Sequence, residues 1–261
     1  MPSLADHHGS KFIKLFYIGD SGTGKTGSLV SLIGAGYKLR ILDLDNGLDA
    51  LFQETKRAFP DKLTNVDYES RRDQYKSSPS GPIISGQPKA FTDSLKLLDK
   101  WPDETSPKDW GEDTIFVLDS LTAFGKAAFE WAKGMAPAAK DPRQWYFSAQ
   151  QAVEDTIAML TGENFKANVI VISHVTYSEL QDGTTKGFAS SIGSALGPKL
   201  PKYLNTLVLA EKSGSGANVK RTIKTMPTTT VELKNPISFK LPAVLPLETG
   251  LATIFSELKA A

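Results

Sequence analysis

The chain contains no cysteine. Without a thiol there is no disulfide framework, no thiolate zinc site, no iron–sulfur cluster and no cysteine nucleophile, and a reducing interior such as the cytoplasm is the compartment that fits. No stretch reaches the roughly 18 consecutive apolar residues of a membrane helix. The opening MPSLADHHGSKFIKLFYIG sets acid and histidine ahead of a short apolar run interrupted by lysine, so neither a signal peptide nor a membrane span is expected. Charge of one sign is missing too: Lys+Arg total 30 against 29 Asp+Glu, a net charge of +1, which excludes a uniformly basic coat for nucleic acid and leaves room only for a local patch. The guanine-reading motif N-K-x-D does not occur, which disfavours a GTPase. Histidine is scarce, with 3 in all, and His7 and His8 have no partners at metal-ligand spacing and are assigned nothing.

What is present is an ordinary globular composition, 40% hydrophobic and 23% charged over 261 residues. A chain of this size buries roughly 75% of its unfolded surface in one core. We therefore expect a flexible N-terminus over residues 1–10 and a single α/β domain over 11–261. Strands are expected at 11–18, 39–44, 114–118 and 168–173, with further strands or hairpins at 204–209, 219–225 and 229–233. Helices are expected from the glycine-rich loop to about Ala35, at 48–58, 90–101, 121–133, 144–160 and 252–259. Residues 60–110 hold six of the fifteen prolines and polar runs such as RRDQYKSSPSG, and read mostly as a surface insertion. Residues 174–201, with glycines at 183, 187, 193 and 197, read as a functional or mobile segment.

Gly19–Thr26, GDSGTGKT, matches G-x-x-x-x-G-K-[ST] between an expected strand and an expected helix. Such a loop wraps phosphate in backbone N–H groups: Gly19, Ser21, Gly22, Thr23, Gly24, Lys25, Thr26 and Gly27 are the nucleotide-binding candidates. Lys25 would neutralise β/γ charge, and the Thr26 hydroxyl would ligate Mg²⁺. Asp119 ends the apolar run TIFVL, the place for a second Mg²⁺-associated acid. Asp43 and Asp45 close the second strand at alternating positions; Asp45 is the candidate to orient or deprotonate the attacking water, and the competing reading makes both helix-capping residues. His174 ends NVIVIS, where it would hydrogen-bond a γ-phosphate or serve as an ordinary structural histidine. Between Leu196 and Lys240 eight basic residues face two acids, Glu211 and Glu232. That excess suits a DNA-backbone stripe, cations such as Arg221 and Lys224 reaching a neighbouring subunit's nucleotide, or a plain solvated face. Trp145, Tyr146 and Phe147 would stack on bases or pack into the core.

In this order the phosphate loop, ILDLDNGLDAL, FVLDSLTAF and VIVISH resemble the ATPase core of RecA-type recombinases over most of Lys11 to Thr225. The resemblance implies a RecA-like P-loop NTPase, a mostly parallel central sheet with helices on both faces and C-terminal antiparallel strands, and ATP and Mg²⁺ as ligands. It implies the water-activating acid at Asp45 in place of the usual glutamate, within Asp43-x-Asp45 and Leu48-Asp49, and the Mg²⁺-associated acid at Asp119. The γ-phosphate sensor falls on His174 where glutamine is usual, and cations acting across a subunit interface fall on Arg221 and Lys224. Residues 134–145 and 176–201 take the places of two loops that line single-stranded DNA in a filament. With neither the family's N-terminal domain nor a separate C-terminal DNA-binding domain evident, the chain looks like short, core-only ATPases encoded by bacteriophages and associated with recombination and single-strand annealing. The expectation is a Mg²⁺-dependent, DNA-binding ATPase of the host cytoplasm that forms a filament or ring, with a single-strand-binding protein as a further partner and no membrane. The alternatives are a nucleotide-gated assembly, packaging or replication accessory ATPase and a helicase-type motor core.

Overall fold

The computed structural model describes residues 11–139 and 141–261. The expected flexible N-terminus, with His7 and His8, and Lys140 of the 134–145 loop lie outside them. Among the described residues the chain runs β1 (Lys14–Gly19), α1 (Lys25–Ser28), α2 (Val30–Gly34), β2 (Lys38–Asp43), α3 (Leu48–Ala58), β3 (Val66–Ser70), β4 (Tyr75–Lys76), β5 (Ile83–Ile84), α4 (Ala90–Asp99), β6 (Gly111–Asp119), α5 (Leu121–Met135), α6 (Arg143–Thr161), β7 (Ala167–Ser173), β8 (Val175–Glu179), β9 (Thr185–Ala189), β10 (Thr206–Ser213), β11 (Lys220–Lys224), β12 (Val244–Pro246) and α7 (Leu247–Lys259). Eight of these strands form one sheet in the order β12-β11-β10-β1-β7-β6-β2-β3. From β10 to β3 every neighbouring pair is parallel, and β11 and β12 close the other edge antiparallel. This is the α/β architecture the sequence predicts.

The central strands are apolar at successive positions because both faces are covered. Phe16 and Ile18 of β1 point into one core with α4, α5 and α6, while Leu15 and Tyr17 point into a second with α2, α3 and α7. Lys14 breaks the apolar run of β1 without leaving the interior. Its ammonium donates to the carbonyls of Leu160, Phe165 and Ala167 at 2.9, 2.7 and 2.8 Å, gathering the end of α6 and the start of β7. Burial pushes this amine down to about 7, and the three carbonyl acceptors, which occupy all three N–H bonds, oppose that shift.

Two local expectations differ from the structure, and two more gain detail. The helix after the phosphate loop is split at Leu29, whose amide bonds to Thr26 O, while Leu32 N returns to Leu29 O; these i to i+3 bonds tighten the turn beside Gly27 and Ser28, both weak helix formers. The 60–110 stretch is not all surface insertion, because β3 joins the sheet parallel to β2. VDYES lacks a clear apolar alternation because an edge strand buries little. The glycine-rich segment after His174 contains the β8–β9 hairpin, in which a Cβ at Gly187 would lie 2.9 Å from both Tyr177 and Val231. Residues 229–233 form no continuous strand. Val231 and Lys234 make single bridges, and Pro227 and Pro236, lacking N–H groups, bracket the segment.

Candidate nucleotide site

Parallel strands bring their carboxyl ends to one edge, and at this edge the ends of β1, β6 and β7 stand side by side with that of β2 next to β6. The loop leaving β1 closes on itself: Lys25 Nζ donates to the carbonyls of Gly19 and Asp20 at 2.7 and 2.9 Å, and the Thr23 hydroxyl donates to Asp20 O at 2.8 Å. Gly24 has φ 89°, and a Cβ there would lie 2.6 Å from Leu247 at the start of α7. Both the left-handed backbone and the contact require glycine. Thr26, one position into α1, donates its hydroxyl to Asp119 Oδ2 at 2.7 Å.

A cavity of about 400 Å³ opens over this loop. Ser21, Gly22, Gly24, Lys25, Thr26 and Gly27 form its floor, and Asp45, Asp119 and His174 face it from the neighbouring strand ends. Every sequence-predicted phosphate, metal, water and sensor residue is thus at one opening, except Gly19 and Thr23, whose carbonyl and hydroxyl are bonded within the loop.

Burial raises the Asp119 carboxyl to about 6; the Thr26 hydrogen bond opposes this, and Asp45 and Asp43 reinforce it. Burial pulls the Lys25 ammonium down, and Asp119, Asp20 and Asp45 hold it up. Burial, then the nearby Lys25 charge, lowers the His174 imidazole, so at neutral pH it is uncharged and carries one N–H donor. The hard oxygens of Thr26 and Asp119 fit Mg²⁺, which binds through one or two protein oxygens, phosphate and water. Among the described residues there is no cluster of three or more histidines and acids to suggest a different kind of metal site.

Asp43, the last residue of β2, and Asp45, two residues beyond it, do not share a direction. Asp43 is buried and accepts from Asn46 N and the Ser70 hydroxyl, each at 3.0 Å, with Arg72 at 3.6 Å; it ties β2 to β3 and to the following turn. Period-two reasoning fails because the strand ends at Asp43, where Leu44 N turns to Asp119 O. Neither acid caps α3, whose N-cap residue is Gly47.

The basic stretch disperses. Lys224 pairs with Glu211 at 2.8 Å and Lys202 with Glu154 at 2.7 Å, while Lys234 donates to the carbonyls of Pro201 and Leu204. Arg221 does reach a phosphate loop, that of its own chain, donating Nε–H to Gly22 O at 3.3 Å. Sequence reasoning counted Lys212 among the eight cations of this stretch but missed its place at the loop, where its Nζ would lie 3.5 Å from a Cβ at Gly22. The signal was the β10–β11 register, which sets Lys212 opposite Arg221. Thr122 was also missed: its hydroxyl receives His174 N and donates to Ser190 O, linking the sensor position to the segment beyond it. Of the aromatic trio, Trp145 packs edge-on against Phe129 and donates to Ala136 O, whereas Phe147 on α6 is 71% exposed, as is Met135 at the end of α5.

Fold and site together define a P-loop NTPase. Residues 11–237 match the AAA domain family, and the chain belongs to it. No curated protein sequence matches the chain. Similar solved structures include the flagellar accessory protein FlaH from Methanocaldococcus jannaschii, 10% identical over 84% of this chain and 79% of that one with a TM-score of 0.40. A KaiC-like protein from the hyperthermophilic archaeon Pyrococcus horikoshii OT3 is 9% identical over 83% and 86%, also at 0.40. Among the described residues no helix is long and apolar enough to cross a membrane.

Proposed function

We propose that the chain is a Mg²⁺-dependent ATP hydrolase. The observation that carries this reading is the convergence of Lys25, Thr26, Asp119, Asp45 and His174 on one cavity over the phosphate loop. Loop amides and Lys25 bind the β- and γ-phosphates. Thr26 and Asp119 would hold Mg²⁺, which would supply charge neutralisation at the phosphates. Asp45 orients a water toward the γ-phosphorus and accepts its proton as the water oxygen bonds to that phosphorus and the bond to the β-phosphate oxygen breaks, releasing ADP and phosphate. The neutral His174 donates a hydrogen bond to the γ-phosphate. Its loss is felt through Thr122 at Ser190, in the segment that would contact a partner.

The partner we propose is single-stranded DNA, met by residues 134–145 and 176–201, with the chain acting as a cytoplasmic homo-oligomer, filament or ring, in recombination or strand annealing of the phage RecA type, alongside a single-strand-binding protein. The exposed ring of Phe147, two residues beyond the first segment, supports a stacking surface there. The dispersal of the basic stretch favours a second reading, a nucleotide-gated assembly ATPase whose contacts are with protein. Hydrolysis measured with and without single-stranded DNA at two salt concentrations separates them. Several-fold stimulation that fades with salt supports the first, and unchanged slow turnover supports the second.

A further inference from the structure

In β10 and β11, Lys212 and Arg221 stand directly opposite each other on an antiparallel pair. Like charges in that position repel. Among the described residues neither makes an ion pair, although the neighbouring cation Lys224 is paired with Glu211. Both lie against the phosphate loop: Arg221 Nε bonds Gly22 O at 3.3 Å, a Cβ at Gly24 would be 3.2 Å from Arg221 Cδ, and one at Gly22 would be 3.5 Å from Lys212 Nζ.

We propose that Lys212 and Arg221 form an in-chain cationic brace on the outer side of the phosphate loop, which raises the affinity of that same chain's loop for polyphosphate. The proposal rests on the nucleotide reading above. The peptide between Gly22 and Thr23 is planar, so holding the Gly22 carbonyl outward aims the Thr23 N–H into the loop. That N–H bonds Asp20 O at 3.4 Å, a weak bond that a phosphate oxygen would displace. The two positive charges also act through the loop on whatever anion it holds, and that anion relieves their mutual repulsion. Both residues are positioning residues. Their register commits them to their own chain, whereas the sequence suggested that Arg221 serves a neighbour.

The test is equilibrium dialysis of Mg²⁺-ATP and Mg²⁺-ADP against the wild-type chain, Arg221→Gln, Arg221→Lys, Lys212→Gln and the double glutamine variant, at two protein concentrations a hundredfold apart. Both side chains are exposed, so melting temperatures near wild type are expected and check that each variant is folded. Removing one charge weakens ATP binding about fivefold at low salt, from Coulomb attraction over several ångströms at a surface-like dielectric. ADP loses less, high salt shrinks the difference, and Arg221→Lys recovers most of it. A merely structural role would weaken ATP and ADP alike and ignore salt. The brace predicts the same defect at both protein concentrations. It is overturned if the double variant binds ATP like wild type. A defect confined to the higher concentration, or repaired by mixing with Lys25→Ala chains, also overturns it, because the cations then act between chains. If the wild-type chain binds neither nucleotide, the nucleotide reading itself falls and the brace with it.

Discussion

The middle of the sheet's carboxyl edge and the rim around it are built differently. At the middle, Lys25, Thr26 and Asp119 are held by hydrogen bonds of 2.7–2.9 Å, two of the three are buried, and a change at any one disturbs the others. At the rim, residues 134–145 and 176–201 carry exposed Met135 and Tyr177, with exposed Phe147 just beyond the first, and surface ion pairs such as Lys186 with Glu232. Chemistry requires a fixed constellation and stores charge in a desolvated place, whereas a partner surface made of separate exposed groups changes by small steps. Substitutions in the middle should therefore alter activity and stability together, and those at the rim should alter partner response alone.

The sharpest way to break this contrast is Asp119→Asn. A carboxyl whose pKa rises from 3.8 to about 6 on folding binds a proton more tightly in the folded chain, so it lowers stability as pH rises through that window. At pH 8 the ionised, buried group costs about 3 kcal/mol, an order-of-magnitude figure from two pKa units. We expect Asp119→Asn to lower Mg²⁺-ATP hydrolysis by about 10²-fold or more. The nucleotide-free protein should melt several degrees higher at pH 8, with the gain fading toward pH 4. Loss of activity with no change in melting would mean that the middle is not strained by its own charge.

Lys14→Met tests whether a buried cation away from the site behaves like those within it. It leaves three carbonyls without their donor, and we expect a loss of about 3 kcal/mol in urea unfolding with the per-molecule turnover of the folded protein unchanged. Asp45→Glu sharpens the assignment of the water-orienting acid. Adding the missing methylene should hold or raise the turnover number, while Asp45→Asn should lower it about tenfold or more with little change in ATP affinity. The smallest effect belongs to the rim. Phe147→Ala should leave basal hydrolysis and melting within error and weaken single-stranded DNA binding by about 1–3 kcal/mol, read by fluorescence anisotropy of a labelled oligonucleotide.

Legibility followed the same division. Gly19–Thr26, the apolar runs of β6 and β7 with Asp119 and His174 at their ends, and α3 at Leu48–Ala58 could be read directly, because buried parallel strands and a phosphate loop constrain residue type at each position. The edge strand β3 could not, since VDYES buries too little to show a period. The roles of Asp43 and Arg221 were hidden for a different reason. Each depends on a contact fixed by tertiary register: Asp43 with Ser70 across β2 and β3, and Arg221 with Gly22 across 199 residues of chain. Composition drew attention to the basic stretch, but only the fold separated cations committed to carboxylates from the two committed to the phosphate loop.

Steady-state hydrolysis of Mg²⁺-ATP by the wild-type chain against Lys25→Ala tests the nucleotide site most directly. We expect wild-type turnover that requires Mg²⁺ and falls by about 10²-fold or more in the variant, the scale of losing one preorganised charge at a phosphoryl-transfer centre. Equal rates in the two proteins, or turnover that persists without Mg²⁺, would contradict the assignment of this cavity as the place where ATP is cleaved.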